Sequence, residues 1–383
     1  MWAFIDSFYN DMKKFMKRIL SIFSSLVLSA GFLNAQAPVG FAVQPATTLQ
    51  GTDLGANTTT NAAGIALGNR FKLRGFVDFQ YSHLDNDLEV GDDRLSTDAD
   101  VDFLIDFSPV TAEVHLKGTT GTGKSFGIEQ AFGRYSFNRD FNISFGRQVT
   151  NLGYEGDEPT DLYTVSNAYF FDVLTKHSFT SSIIQTIDNT FGTSVSATHF
   201  RKNYVDGIRA NFNNGQFGIS LGLHDKYWVK DDFNDNVAID LAASIMILPG
   251  LEARMGYAYE EEPIAGSEEI EQFNAWVSYN PGALTLGLEY DNFDLMGVDL
   301  WDVMFLANYQ FTHWFGATLR YAHEDVKAGS LEMDSDRFSL ALLFALTDNF
   351  NLNLEYSHTE LGSNTVDIHG DMDELYLQGL LNF

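Results

Sequence analysis

From residue 70 to the end of the chain, apolar and polar side chains alternate in one run after another. In 350–358, one face carries Phe350, Leu352, Leu354 and Tyr356, and the other carries two Asn, a Glu and a Ser. A period of two puts successive side chains on opposite faces of a β-strand, so the pattern predicts strands rather than helices. Similar runs occupy 71–82, 101–107, 110–117, 217–224, 237–247, 251–260, 284–291, 301–311, 315–323 and 338–346.

The length of these runs favours strands that cross a membrane. Most have about 9–13 residues, close to the 9–11 that a tilted strand needs to cross a bilayer and longer than a usual soluble strand. Short turns alternate with longer acidic connections, as in outer-membrane barrels with their turns at the periplasmic end. The acidic connections are expected at 84–97, 224–235, 260–270, 324–336 and 359–371. The sequence therefore predicts an all-β fold, a transmembrane antiparallel up-and-down β-barrel.

Counting the runs gives 16 strands, and a further pair at 178–187 and 190–200 would make 18. Either number is even, as expected if the first strand rises from the periplasmic side and the last returns to it.

Aromatic residues provide a second indication of a membrane barrel. Phe begins several rising strands and Tyr lies near their far ends, which predicts two aromatic girdles about a membrane thickness apart. The alternative is that these rings line the core of a soluble sandwich, which would require neither two girdles nor unequal loops. The residues concerned are Phe71, Phe141, Phe217, Phe315 and Phe350 at one level and Tyr81, Tyr257, Tyr290, Tyr321 and Tyr356 at the other.

The N-terminal region has the layout of an export signal. Four basic residues between Lys13 and Arg18 precede the apolar run 19–32 and the tripeptide Leu33-Asn34-Ala35. This order predicts a signal peptide over 1–35, with Met12 as an alternative start. Residues 36–69 lack a strand or helix period and are interpreted as a flexible periplasmic segment, which leaves 70–383 for the barrel.

Composition excludes several classes of function. The net charge of −29 argues against nucleic-acid binding, and the absence of Cys excludes disulfides and thiolate metal sites. No zinc-ligand spacing and no nucleophile motif occurs in the sequence, so we expect no enzyme, no catalytic residue, no metal ligand and no cofactor. Acidic outer loops that hold divalent cations remain an alternative, although the spacing of a calcium-binding EF-hand is absent.

Charged residues opposite the apolar rows should face water inside the barrel, because charge is unfavourable against lipid. These inward candidates are Lys72, Arg74, Asp78, Glu113, His115, Lys117, Arg134, Arg209, Asp240, Glu252, Arg254, Glu289, Arg320 and Glu355.

The last strand places Leu375, Leu377, Leu381 and the terminal Phe383 on one face. It resembles the C-terminal signal of outer-membrane barrels, and this resemblance implies recognition by the barrel-assembly machinery through Phe383.

A second stretch resembles the OmpL-like β-barrel porins. The segments that carry the resemblance are Gln130-Ala131-Phe132-Gly133-Arg134-Tyr135, Phe145-Gly146-Arg147, Leu152-Gly153-Tyr154-Glu155 and Ser166-Asn167-Ala168-Tyr169-Phe170-Phe171. The Pro-x-x-His-x-Gly run of that family is poorly kept at 174–178. The resemblance implies an outer-membrane porin for passive diffusion of small hydrophilic solutes or ions, and leaves the solute and the choice between monomer and homotrimer open.

By resemblance to general porins, the connection at 151–176 should fold into the pore as a constriction. Its acidic residues Glu155, Asp157, Glu158 and Asp161 would face a basic wall that contains Arg134 and Arg147. Because Arg147 shares the parity of the apolar row, a β-bulge would be needed to turn it inward. The alternative function is a surface-binding or structural barrel whose acidic loops bind a partner or divalent cations.

Overall fold

The computed structural model describes residues 64–86, 89–120, 125–156, 158–170, 201–228, 237–261, 268–363 and 370–383. The predicted signal peptide, residues 36–63, the predicted strand pair at 178–187 and 190–200, and Asp157 lie outside the described residues. Within the described ranges, no helix has the length and apolar character to cross a bilayer.

In the described ranges, seventeen strands form one antiparallel sheet. They are β1 (Ile65–Ala66), β2 (Phe71–Asn86), β3 (Glu89–Phe107), β4 (Val110–Thr119), β5 (Ser125–Ser136), β6 (Phe141–Val149), β7 (Tyr204–Asn213), β8 (Phe217–His224), β9 (Ala238–Leu248), β10 (Leu251–Glu260), β11 (Ile270–Tyr279), β12 (Leu284–Leu295), β13 (Val298–Thr312), β14 (Phe315–Ala328), β15 (Leu331–Thr347), β16 (Phe350–Ser363) and β17 (Gly370–Asn382). A short 3-10 helix covers Pro159–Asp161.

The sixteen strands β2–β17 close into a barrel. Each pairs with its neighbours in sequence, and β17 pairs with β2 from Met372↔Asn86 to Asn382↔Phe76. The amide of Phe383 donates to the carbonyl of Gly75 (3.0 Å) and the amide of Gly75 donates back (2.9 Å). Closure satisfies the backbone groups that an open sheet would leave at its edges, which is a requirement inside a bilayer. The predicted barrel fold is confirmed.

Within the described residues, the barrel wall has sixteen strands. Strands β6 and β7 pair directly with each other, from Phe141↔Phe212 to Val149↔Tyr204. In the described wall β6 and β7 are therefore direct neighbours, and the further pair predicted at 178–187 and 190–200 lies outside the described residues.

The sheet has its apolar face outside and its polar face inside, the reverse of a soluble protein. On β8 the apolar side chains of Ile219, Leu221 and Leu223 are about half exposed, whereas Ser220 and His224 are buried. Since a large apolar surface is unfavourable in water, this face is suited to lipid and the polar face to the barrel interior. Alternation places all ten predicted girdle aromatics on the outward face.

Two of the predicted acidic loops are wrong, because the strands continue through them. Strand β3 has 19 residues and β15 has 17, so 84–97 and 324–336 are mostly strand. Paired charges support these polar extensions, such as Lys327 and Glu332 at 2.6 Å. They lack an apolar row, so alternation in the sequence did not mark them.

A repeated polar motif lies on the outward face of three hairpins. In each, a Tyr hydroxyl donates to an Asp on the next strand, and the His two residues further on contacts the same carboxylate. On β14 and β15, Tyr321 lies 2.6 Å and His323 2.9 Å from Asp336. The other two sets are Tyr81, His83 and Asp93 on β2 and β3, and Tyr356, His358 and Asp373 on β16 and β17.

The last residues before the barrel differ from the irregular segment that was predicted up to residue 69. Strand β1 pairs with β2 through Ile65↔Leu73 and Ala66↔Lys72, so the described end of this segment runs along the barrel wall.

Candidate functional site

The barrel interior is lined by charged side chains, with acid in excess. Among the described residues, fourteen carboxylate side chains are buried against seven Arg and Lys side chains. All but three of these twenty-one lie on the inward face of a strand; Glu129 lies at a bulge, and Arg201 and Lys202 precede β7. The interior is therefore acidic overall, with a smaller number of Arg and Lys side chains among the carboxylates.

The connection from β6 to β7, residues 150–203, is here called the inner loop. Its two ends are tied together, since the amide of Thr150 donates to the Asn203 carbonyl (2.7 Å) and the amide of Asn203 donates to the Thr150 hydroxyl (3.0 Å). Tyr154 is fully buried, and the loop residues 162–170 are mostly buried too. These parts of the loop fold into the barrel interior.

Two glycines of the opposite wall make room for the inner loop. A Cβ on Gly287 of β12 would lie 2.8 Å from the ring of Tyr154, and a Cβ on Gly256 of β10 would lie 3.0 Å from Cγ of Leu152. A larger residue at Gly287 would force the Tyr154 ring to move, and one at Gly256 would press tightly on Leu152, so the two glycines let the loop lie close to these strands. The Tyr154 ring also packs edge-on against Trp276, with ring centres 5.4 Å apart.

Arg320 on β14 is the main polar anchor of the inner loop. Its Nη1 donates to Glu155 Oε1 (2.6 Å), the Thr164 hydroxyl (2.6 Å) and the Ser166 carbonyl (2.8 Å), and its Nη2 donates to the Asn167 carbonyl (2.9 Å). The side chain is 1% exposed. One guanidinium therefore fixes Glu155 and loop residues 164–167 to the wall by charge-assisted hydrogen bonds.

Two wall carboxylates accept hydrogen bonds from the same loop. Glu355 on β16 accepts from the Ser166 amide (2.9 Å) and also from the Val165 amide. Glu289 on β12 accepts from the Tyr154 amide (2.5 Å) and the Tyr169 hydroxyl (3.0 Å). Anchors on three strands thus hold the loop against β12–β16.

The end of the inner loop adds a second cation. Arg201 forms an ion pair with Asp302 and donates to Glu324 (3.0 Å). Its guanidinium lies over the Tyr169 ring, 4.0 Å from the ring centre, which joins the two described parts of the loop by a cation–π contact.

The predicted basic wall opposite the loop is only partly present. Arg134 faces inward, but its ion pair is with Glu113 on the neighbouring strand (3.6 Å). Arg147 faces outward: it lies 3.1 Å from Asp206 on the outer side of β7 and 6.0 Å from the centre of the Tyr204 ring. Gly146 has a positive φ, yet β5, β6 and β7 stay in register, so no bulge turns Arg147 inward. Its placement in the pore wall was wrong.

The acidic residues of the loop divide into two groups. Glu155 does face a basic residue, but this residue is Arg320 rather than Arg134 or Arg147. Glu158 lies near the carboxylates Asp100 and Glu129, with Asp161 close by, so this part of the loop faces acid.

The remaining predicted wall residues all lie on the inward face, including Lys72, Asp78 and the anchor Glu289. Each of the following has a defined partner. Arg74 contacts Asp102 (2.5 Å), Lys117 contacts Glu129 (2.8 Å), Arg209 contacts Asp240 (3.1 Å), and Arg254 donates to the Asn151 carbonyl of the loop.

Sequence reasoning missed Arg201 and Arg337. Arg337 on β15 donates to Ser166 (2.9 Å) and pairs with Glu374. It has the opposite parity to the outward row Phe338, Leu340 and Leu342, so the same alternation rule could have found it. Arg201 precedes β7, where the sequence has no alternating pattern.

No protein-family model matches the sequence, and no curated protein matches it. Solved structures do match the fold. An anion-selective porin from Comamonas acidovorans aligns with a TM-score of 0.60 at 14% identity over 82% of this chain and 99% of its own. The outer-membrane channel DcaP of Acinetobacter baumannii gives 0.57 at 12% over 84% and 100%, and a trimer form of OmpT, an outer-membrane protein of Vibrio cholerae, gives 0.54 at 11% over 82% and 100%. The chain thus has the barrel fold of outer-membrane porins and channels.

Proposed function

We propose that the chain is an outer-membrane porin that lets small hydrophilic solutes or ions diffuse passively through its barrel. The observation that carries the proposal is the inner face, where charged side chains line a closed sixteen-stranded wall whose outer face is apolar. Such an interior suits water and solutes, and the outer face suits lipid. The proposal assigns no enzymatic activity to the chain.

The excess of buried carboxylates indicates a preference for cations, because rings of acidic side chains favour cations in pores. The Comamonas structure is titled anion-selective, but its likeness to this chain extends to the fold alone. Reversal potentials across planar bilayers in a salt gradient test the preference. We expect stepwise conductance with a cation-selective sign, and a smaller preference for Asp78→Asn.

The matched control is Asp140→Asn, because Asp140 lies in the turn between β5 and β6, outside the interior. A folded, purified barrel that never conducts would overturn the porin proposal. Equal reversal potentials for Asp78→Asn and the wild type would overturn the assignment of Asp78 to the conducting path.

The finer assignments form part of the same proposal. The motifs between residues 130 and 171 support membership of the OmpL-like porins. The proposal includes a signal peptide over 1–35, a periplasmic segment over 36–69 and a barrel over 70–383 in the bacterial outer membrane. The apolar outer face of the barrel supports the membrane location. Phe383 would present the last strand to the barrel-assembly machinery. A homotrimer is proposed from the trimer form of the similar OmpT fold.

One observation favours a second candidate, a surface-binding or structural barrel with a blocked interior. The inner loop buries the inward faces of β12–β16, where Glu289, Arg320 and Glu355 are almost fully covered. In this case purified barrels would not conduct, and a variant that releases the loop would gain conductance.

A further inference from the structure

A group of carboxylates lies where the inner loop meets the wall formed by β3 and β5. Asp100 is on the inner face of β3, and Glu129 lies at an irregularity in the pairing of β4 with β5. Glu158 comes from the loop, directly before its short 3-10 helix. One oxygen from each of these three side chains lies within 4.8 Å of the other two. Three separate segments therefore bring their carboxylates to one point.

Three of the oxygens at this point receive no hydrogen bond from the described residues. Asp100 is 1% exposed, and neither of its carboxylate oxygens accepts a hydrogen bond from any residue in the described part of the chain. Oε2 of Glu129 also has no such partner within those ranges, although Oε1 accepts from Lys117 (2.8 Å). A buried carboxylate without a partner is strongly unfavourable, so Asp100 either shares a proton with the neighbouring Asp102 or gains a cation beside it.

Lys117 is paired with one oxygen of Glu129, and two further cationic side chains nearby are engaged with carboxylates outside the cluster. Arg74 contacts Asp102 at 2.5 Å. His115 lies 3.0 Å from Asp102 through Nδ1 and 3.3 Å from Glu113 through Nε2, so both ring nitrogens are occupied. These contacts pair Asp102 and Glu113 with cations, whereas no ion pair of the described residues includes Asp100.

The loop residue Glu158 also faces acid. Its Oε2 accepts a hydrogen bond from the Thr160 hydroxyl (3.3 Å), and its carboxylate lies among those of Asp100, Glu129 and Asp161.

We propose that Asp100, Glu129 and Glu158 form a binding site for one divalent cation of the calcium type. Carboxylate oxygens are the ligands of Ca²⁺, at about 2.3–2.6 Å, so oxygens on opposite sides of the ion are about 5 Å apart. Three oxygens within 4.8 Å of one another fit this separation, and water completes the shell. Zn²⁺ is disfavoured because the neighbouring imidazole is already hydrogen-bonded and Cys is absent.

The site would link the inner loop to a wall that its other anchors do not reach. Arg320, Glu289 and Glu355 fasten the loop to β12–β16, whereas Asp100 and Glu129 belong to β3 and β5 on a different part of the wall. A bound cation would fix the loop from two sides and so set the free cross-section of the interior.

The test is calcium binding to the full chain, folded in detergent and stripped of metal with a chelator. We expect isothermal titration with CaCl₂ to show one saturable site per chain, and Asp100→Asn to weaken it at least tenfold. Asp334→Asn is the matched control, because Asp334 is an acid of strand β15 outside the cluster. Equal affinity of the wild type and Asp100→Asn would overturn the proposal, as would no saturable binding up to about 10 mM, above the range of weak extracellular calcium sites.

A loop variant keeps the test decisive if Asp100→Asn fails to fold. Glu158→Gln changes a partly exposed loop residue and leaves the wall intact. We expect Ca²⁺ to raise the unfolding temperature of the wild type and not that of Glu158→Gln, since a ligand stabilises only the state that binds it. An equal calcium-dependent rise in both would overturn the site. Neither readout needs conductance, so a barrel that binds calcium and never conducts would overturn the porin proposal alone.

Discussion

Arg320 provides the strongest test of how the inner loop is held. Substituting Gln removes the charge while keeping a side chain of similar reach. It leaves Glu155 and Glu355 without their cation in a buried site, since Arg320 lies 2.6 Å from Glu155 and 3.7 Å from Glu355. Breaking a buried ion pair by removing one partner costs about 3–5 kcal/mol. Even about 3 kcal/mol would raise the ratio of undocked to docked loop by roughly 100-fold.

Single-channel recordings in planar bilayers measure the effect. We expect Arg320→Gln to change the main conductance level and to increase open-channel noise, because the loop no longer rests in one position. The conductance and noise of Arg320→Lys should lie between those of the wild type and Arg320→Gln, since Lys keeps the charge but not the planar fork of donors. Arg139→Gln is the control, because Arg139 is 83% exposed in a turn.

Two results would contradict this reasoning. The first is wild-type conductance and noise in Arg320→Gln together with an unchanged unfolding temperature. The second is an equal change in Arg139→Gln, which would point to a general effect of removing an Arg. If the wild type does not conduct, a gain of conductance in Arg320→Gln would support the docking of the loop and the blocked barrel together.

Three further substitutions have defined outcomes. Gly287→Ala should displace Tyr154 and shift the conductance level, because the added methyl would lie 2.8 Å from the Tyr154 ring. Tyr321→Phe should lower the free energy of unfolding by about 0.5–1.5 kcal/mol in urea titrations, because the hydrogen bond to Asp336 is lost. Gly75→Val should reduce the yield of closed barrel in gel-shift folding assays, because a Cβ there would lie 2.2 Å from a backbone carbonyl oxygen of β3.

Each of these has its own control. Gly127→Ala adds a methyl with nothing described within 4 Å, so it should leave conductance unchanged. Tyr135→Phe alters an outward-facing tyrosine that lacks the Tyr-x-His motif and should have a smaller effect on stability. A Gly75→Val barrel that closes with wild-type yield would refute the need for glycine at this position, beside β3 and the Phe383 ring.

Alternation of apolar and polar residues predicted which side chains of the wall face inward. In a membrane strand, odd and even positions point to opposite faces, so the apolar row also identifies the inward row. Once the outward row was known, the inward positions of Arg134, Arg209 and Glu289 followed from parity alone. The same parity already placed Arg147 outside, and the expectation that a bulge would turn it inward was wrong because the register there is regular.

The inner loop was only partly predictable. Its position came from resemblance, but its contacts did not, since Glu155 and Arg320 are separated by 165 residues and no local pattern links them. The acidic extensions of the strands were not predicted for a different reason. They are stabilised by cross-strand polar pairs, so the sequence shows no apolar row there. The meeting of Glu158 with Asp100 likewise depends on the path of the loop through the interior.

The pairing at the base of the inner loop makes closure of the barrel wall independent of the segment that fills the interior. Because β6 pairs directly with β7 and Thr150 is tied to Asn203, the wall between them is complete whatever lies between those two residues. Doubling the length of a flexible loop adds only about 0.6 kcal/mol to the entropy of closing it. Insertions and deletions in the loop could therefore accumulate during evolution, and the occupant of the interior could diversify while the wall stays unchanged.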